Sequence, residues 1–170
     1  INSYPTIVSA TKNEIPQLWY LKNWSKEFSG FIKELCQDKV PKVIEIHPPF
    51  SDYSSTDFFV EVYKVFEEMI FEAYPDVTLL IENRSGSRYR GGKFIFSKME
   101  ELVELSNRID SENLRLRITL DLPQIFTAHG INNFSEEVFE DLFSKIKSIR
   151  HNIKGIHLWG KRENENGRKV

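Results

Sequence analysis

The strongest constraint on the fold is a regular alternation of two hydrophobic patterns along the chain. Five short runs rich in β-branched residues, "TIVSA", "KVIEIH", "VTLLIE", "LRLRITLD" and "KGIHLW", are separated by longer stretches in which apolar residues recur at helical spacing. Short apolar runs favour strands, and apolar residues at i, i+3 and i+4 favour amphipathic helices. Strands that alternate with helices run parallel through right-handed crossovers, so the sequence predicts an α/β fold.

Four main helices are predicted between the five strands, within a single domain over residues 1–170. Ser97 with Glu100 fits a capping box at one helix start, and Ser135 fits an N-cap at another. The apolar faces of the helices are marked by Trp24, Phe28, Phe31, Ile32 and Leu35, by Phe59, Val62, Tyr63, Phe66 and Met69, by Met99, Leu102, Val103 and Ile109, and by Phe139, Leu142, Phe143 and Ile146.

Side chains of metal-binding type stand at the ends of four predicted strands. His47, Glu82, Asp121 and His157 follow one another at intervals of about 35 to 40 residues, one β/α unit each. The carboxyl ends of parallel strands meet at one edge of the sheet, where α/β proteins place their ligand sites. Imidazole nitrogens and carboxylate oxygens bind Zn²⁺ or Mn²⁺. Turn formation or helix capping is the alternative role for each residue taken singly.

The loop after Glu82 predicts a second part of the site. Arg84, Arg88 and Arg90 lie in the glycine-rich segment "NRSGSRYRGGK", and guanidinium groups bind phosphate or carboxylate oxygens in forked geometry. A solvated charged loop is the alternative interpretation. His129, shortly after Asp121, is a further candidate to contact substrate at the same edge.

Composition limits the classes of function and location. The formal charge of −2 gives no global basic field, so any nucleic-acid binding has to depend on a local patch. Cys36 is the only cysteine, which excludes an internal disulfide and makes the cytoplasm the expected location. No apolar stretch approaches the ~20 residues that span a bilayer, so no membrane association is expected.

These segments resemble a known enzyme group. "LLIENRSGSRYRGGKF" with the following "SKMEELVELSNRI" is similar to the E-N-x-x-G-x-x-x-G-x-x-F segment and helix of the apurinic/apyrimidinic endonuclease IV group, within the xylose-isomerase-like TIM barrels. "VIEIHPP", "LDLPQIFTAHG" and "GIHLWGKR" resemble other segments of that group in the same order. The resemblance implies a TIM barrel with a divalent metal site, usually zinc, ligated by His47, Glu82, Asp121 and His157.

The chain departs from that pattern at three places. Gln124 stands where the group has a histidine, Gly160 stands where it has an aspartate, and the chain stops at Val170 before the later ligands. A complete barrel needs ~250 residues. Together with a first residue other than methionine, this predicts part of a larger barrel, with little or no activity expected from the 170 residues alone.

The sequence is compatible with three functions. The first is a metal-dependent phosphodiesterase acting on DNA, with Glu82 and Asp121 as catalytic carboxylates and Arg84, Arg88, Arg90, Gln124 and His129 near the substrate. The second is a sugar isomerase or epimerase of the same superfamily, with a sugar or phosphorylated small molecule as substrate. The third is a non-catalytic binding domain with a degenerate metal site. Unpaired sheet edges would also allow homo-oligomers.

Overall fold

The structure is a computed structural model that describes residues 19–21, 23–88, 92–131 and 135–158. Within these ranges it contains a four-stranded sheet and five helices. The strands are β1 Val43–Ile46, β2 Thr78–Glu82, β3 Arg117–Asp121 and β4 Ile153–His157. The helices are α1 Trp24–Cys36, α2 Thr56–Ala73, α3 Met99–Ser111, α4 Leu122–Ala128 and α5 Glu136–Ser148.

The sheet is parallel throughout and follows the order of the chain, β1-β2-β3-β4. Four of the predicted strands and their parallel arrangement are therefore confirmed. The first predicted strand, residues 6–10, lies outside the described residues, so the fifth strand stays a prediction. Register pairs Glu82 with Thr119 and Asp121 with His157, which aligns the strand ends at one edge.

The two faces of the sheet differ because side chains alternate along each strand. Leu79 and Ile81 of β2, with Ile118 and Leu120 of β3, are buried in the same apolar cluster as the helices. The opposite face carries polar and charged side chains as well as apolar ones. The core therefore lies between the sheet and the helices, and the polar side chains of the other face converge at the edge described below.

An aromatic cluster packs α2 against Trp19, which precedes α1. Phe59, Tyr63 and Phe66 of α2 are fully buried, and Trp19 makes edge contacts with all three rings. Such pairs contribute about 0.5–1.5 kcal/mol beyond the area they bury. In the part of the chain that the structure describes, no helix combines the length and the apolarity needed to cross a bilayer.

Local details of the helices differ from the sequence prediction. The short helix α4 was not among the four predicted, and it begins with Asp121 as N-cap. The predicted capping box at Ser97 and Glu100 is wrong by one residue: Glu101 accepts hydrogen bonds from the N–H groups of Ser97 and Lys98, at 2.7 and 2.8 Å. Ser135 is confirmed as the N-cap of α5.

Candidate metal centre at the carboxyl edge of the sheet

Glu82, the last residue of β2, is the centre of the polar cluster at this edge. Its side chain is 8% exposed, and its two oxygens contact different partners. Oε1 lies 2.9 Å from Nδ1 of His157, while Oε2 lies 3.1 Å from Nε2 of His47 and 2.8 Å from Nη1 of Arg84. The structure thus brings together three of the four residues predicted as ligands, with one imidazole on each oxygen.

The charge of Glu82 is stabilised by these partners. Burial alone would raise its pKa, but hydrogen bonds from His47, His157 and Arg84 outweigh burial and lower the pKa to about 2. The hydrogen bond to Glu82 is in turn the largest cause of a raised pKa at His157. Glu82 is therefore fully ionised at neutral pH, as a carboxylate ligand must be.

Glu45 belongs to the same cluster, and the sequence prediction missed it. Nε2 of His157 lies 3.7 Å from Oε1 of Glu45, and the hydroxyl of Thr119 donates to Oε2 at 2.5 Å. One ligand atom from each of Glu45, Glu82 and His157 lies within 4.8 Å of the others, a group that could hold a metal ion. Period-two alternation, which puts residue 45 on the same face as residue 47, is the signal that would have found it.

Asp121 sits at the same edge but is engaged with the start of α4. Its Oδ1 accepts from the N–H of Gln124 at 2.9 Å, and its Oδ2 accepts from the side-chain amide of Gln124 at 2.9 Å. The Asn83 side chain bonds the backbone N–H and carbonyl of Asp121, at 2.7 and 3.1 Å. Asp121 is outside the group of three ligand residues, and its role as a ligand stays a prediction.

Gln124 links two carboxylates of the cluster. Its Nε2 lies 2.9 Å from Oδ2 of Asp121 and 3.5 Å from Oε1 of Glu82, and the residue is 8% exposed. An amide nitrogen has no lone pair for a cation, so in this orientation Gln124 acts as a hydrogen-bond donor that positions the carboxylates.

The predicted substrate-binding residues are spread over different surroundings. Arg84 is 24% exposed and joins the cluster, whereas Arg88 is 71% exposed and its Nη2 lies 3.6 Å from Oδ2 of Asp52. Arg90 lies outside the described residues. His129 faces the start of α3, where its Nε2 accepts from the N–H of Met99 at 3.0 Å, so it is not part of the carboxylate cluster.

The loops after β1 and β2 are joined to each other by a short antiparallel contact. Phe50 and Phe94 form an isolated antiparallel bridge and stack with ring centres 4.2 Å apart. The N–H of Ser51 donates to the carbonyl of Lys93 at 2.7 Å. Gly92 has φ +96°, which residues with a Cβ atom rarely adopt, and a Cβ atom there would push against the Asp52 side chain. This junction fixes the loop that carries Arg84.

Comparison with known proteins gives a likeness of fold. Neither a protein-family model nor a curated protein matches the chain. Among solved structures, "The crystal structure of AsfvAP:AG" matches with a TM-score of 0.60 and 17% sequence identity. The match covers 96% of this chain and 56% of that chain, so the chain spans about half the length of the structure it resembles. At this identity the likeness concerns the fold alone.

Proposed function

We propose that the chain is part of a TIM barrel that binds a divalent metal ion at Glu45, Glu82 and His157 and hydrolyses phosphodiester bonds in DNA. The observation that carries this proposal is the buried, ionised Glu82 carboxylate, which has one imidazole at each oxygen and a guanidinium beside it. The parallel sheet supports the barrel, because parallel β/α units are its repeating element.

The donor set of this cluster fits a divalent ion. Ligand atoms that each lie about 2.1 Å from one ion are separated by roughly 3 to 4 Å. The ligand atoms of Glu45, Glu82 and His157 lie within 4.8 Å of one another, so only a small movement of these side chains would bring all three into contact with one ion. Nδ1 of His157 lies 2.9 Å from Oε1 of Glu82, so an ion bound at that nitrogen would have the Glu82 carboxylate beside it as a second ligand. Carboxylate and imidazole donors favour Zn²⁺ or Mn²⁺.

The residues around this site suit phosphoryl chemistry. A bound divalent ion would polarise a phosphate oxygen and lower the pKa of a water molecule. Arg84 adds a fixed positive charge next to the site, and the exposed Arg88 can reach a phosphate of a bound backbone. With a pKa of about 2, Glu82 is a weak base at neutral pH, which suits a ligand better than a group that abstracts a proton from a sugar carbon.

Sugar isomerisation is the second candidate. It is favoured by the two carboxylates, Glu45 and Glu82, that face one imidazole on the same side of neighbouring strands. Such a pair can hold an ion across two substrate hydroxyls. The low pKa of Glu82 disfavours this candidate, unless a carboxylate elsewhere in the protein acts as base.

The decisive experiment measures both reactions on the natural protein that contains this chain. One assay follows nicking of a DNA duplex with a single abasic site, and the other follows ketose interconversion, each with EDTA and after addition of Zn²⁺ or Mn²⁺. We expect metal-dependent nicking that Glu82→Ala abolishes and that Glu104→Ala, at an exposed site on α3, leaves unchanged. Chelator-sensitive ketose conversion without nicking would establish the second candidate, and metal binding without turnover would indicate a non-catalytic domain.

A further inference from the structure

Arg84 places a positive charge on one side of the Glu82 carboxylate. Its Nη1 donates to Oε2 of Glu82 at 2.8 Å and lies 3.4 Å from Nε2 of His47, which is itself 3.1 Å from Oε2. The other oxygen, Oε1, faces His157 instead. The guanidinium therefore interacts with the same two atoms, Oε2 and Nε2, that a cation bound between Glu82 and His47 would use.

Arg84 is held in this place by the loop architecture. Its backbone N–H donates to the carbonyl of Phe96 at 2.9 Å, and its guanidinium carbon lies 5.4 Å from the centre of the Phe94 ring. Phe94 is fixed by the stack with Phe50 that joins the two loops. The Nε atom of Arg84 is buried without a hydrogen-bond partner, so packing rather than hydrogen bonding confines that part of the arginine side chain. Arg88, in the same loop, is 71% exposed.

The charges of the cluster balance with Arg84 and one divalent ion. The carboxylates of Glu45, Glu82 and Asp121 all act electrostatically on His157. Three negative charges are neutralised by one divalent cation together with one guanidinium. A second divalent ion between Glu82 and His47 would leave the cluster positively charged, and it would be repelled by Arg84 at short range.

We propose that Arg84 serves as the resident cation on the His47 side of Glu82, and that it limits the site to one divalent ion, bound at Glu45, Glu82 and His157. This inference rests on the metal site of the proposed function and adds the number of divalent ions that the site binds. Arg84 determines how many divalent ions the cluster accepts, and His47 contacts an arginine in place of a second metal.

The test counts metal ions bound to the 170-residue chain. Apo protein is titrated with Zn²⁺ by calorimetry and with Co²⁺ by its visible absorption, and native mass spectrometry gives the number of ions. We expect one ion for the unmodified chain and two for Arg84→Gln. Arg84→Lys keeps the charge and should bind one ion, as should Arg88→Gln, which removes an exposed arginine of the same loop. Circular dichroism checks that each variant is folded.

A second substitution locates the additional ion. Arg84→Gln combined with His47→Ala should return the count to one, because the second ion needs the His47 imidazole. One ion in both the unmodified chain and folded Arg84→Gln would overturn the role of Arg84 while leaving the metal site intact, as would two ions in the unmodified chain. No bound ion in any folded variant would overturn the metal site itself, and the inference with it.

Discussion

Replacing Glu82 by glutamine is expected to remove a pH-dependent part of the stability of this protein. The native pKa of Glu82 is lowered from 4.5 to about 2 by His47, His157 and Arg84. A difference of about 2.5 pH units corresponds to roughly 3 kcal/mol at 1.36 kcal/mol per unit. Because the native pKa is the lower one, this stabilisation is present above pH 4.5 and is lost as the pH falls towards 2. About 2 kcal/mol of it disappears by pH 3.

The assay is urea unfolding followed by circular dichroism at pH 5.5 and at pH 3, with chelator present. Glu82→Gln keeps the size of the side chain but cannot ionise. We therefore expect the variant to be less stable than the unmodified chain at pH 5.5, and the difference to shrink by about 2 kcal/mol at pH 3. Glu104→Gln, an exposed carboxylate on α3, is the matched control and should show little difference. An equal difference between unmodified chain and Glu82→Gln at both pH values would refute the reasoning.

Three further substitutions test other contacts. Thr119→Val removes the hydroxyl that donates to Glu45 and should weaken Zn²⁺ binding several-fold without lowering the melting temperature; unchanged affinity would contradict this. Asn152→Ala removes a buried amide that donates to α3, so thermal unfolding should show a loss of about 1 to 3 kcal/mol with metal affinity unchanged. Gly92→Ala would place a Cβ against Asp52 at positive φ, and we expect faster proteolysis of the loop after β2, whereas unchanged cleavage would argue against this strain.

The periodicity of the sequence was sufficient to predict the layered fold, but not the short helix α4 or the exposure of every apolar residue on a helix. Strand and helix patterns depend on which neighbours along the chain are apolar, so β1 to β4 and the long helices could be located from sequence. The helix α4 could not, because seven residues give too short a periodic signal. Leu35, predicted to face the core, is 70% exposed. Ile32 of the same predicted face is buried, because that part of α1 packs against α2, and periodicity within one helix does not define how far such a contact extends.

The site was predicted only in part, because periodicity does not define contacts between residues that are far apart along the chain. His47, Glu82 and His157 were found because they end strands, and strand ends share an edge by topology. Glu45 lies inside a strand that reads as apolar, and its contact with His157 spans more than a hundred residues of chain. Asp121 was predicted as a ligand, but its carboxylate caps α4, a contact set by local backbone geometry.

The sequence by itself determined the order of strands and helices and the edge at which polar side chains emerge. Hydrophobic periodicity is a local property, and the alternation of strands with helices implies parallel strands joined by crossovers. Only the tertiary structure decided which of those side chains touch. Two strands separate β1 from β4 in the sheet, and only the three-dimensional path of the sheet brings Glu45 beside His157. The stacked loops hold Arg84 against Glu82 and His47. Hydrogen bonds and charges act over a few ångströms, so they depend on distances that residue order does not fix.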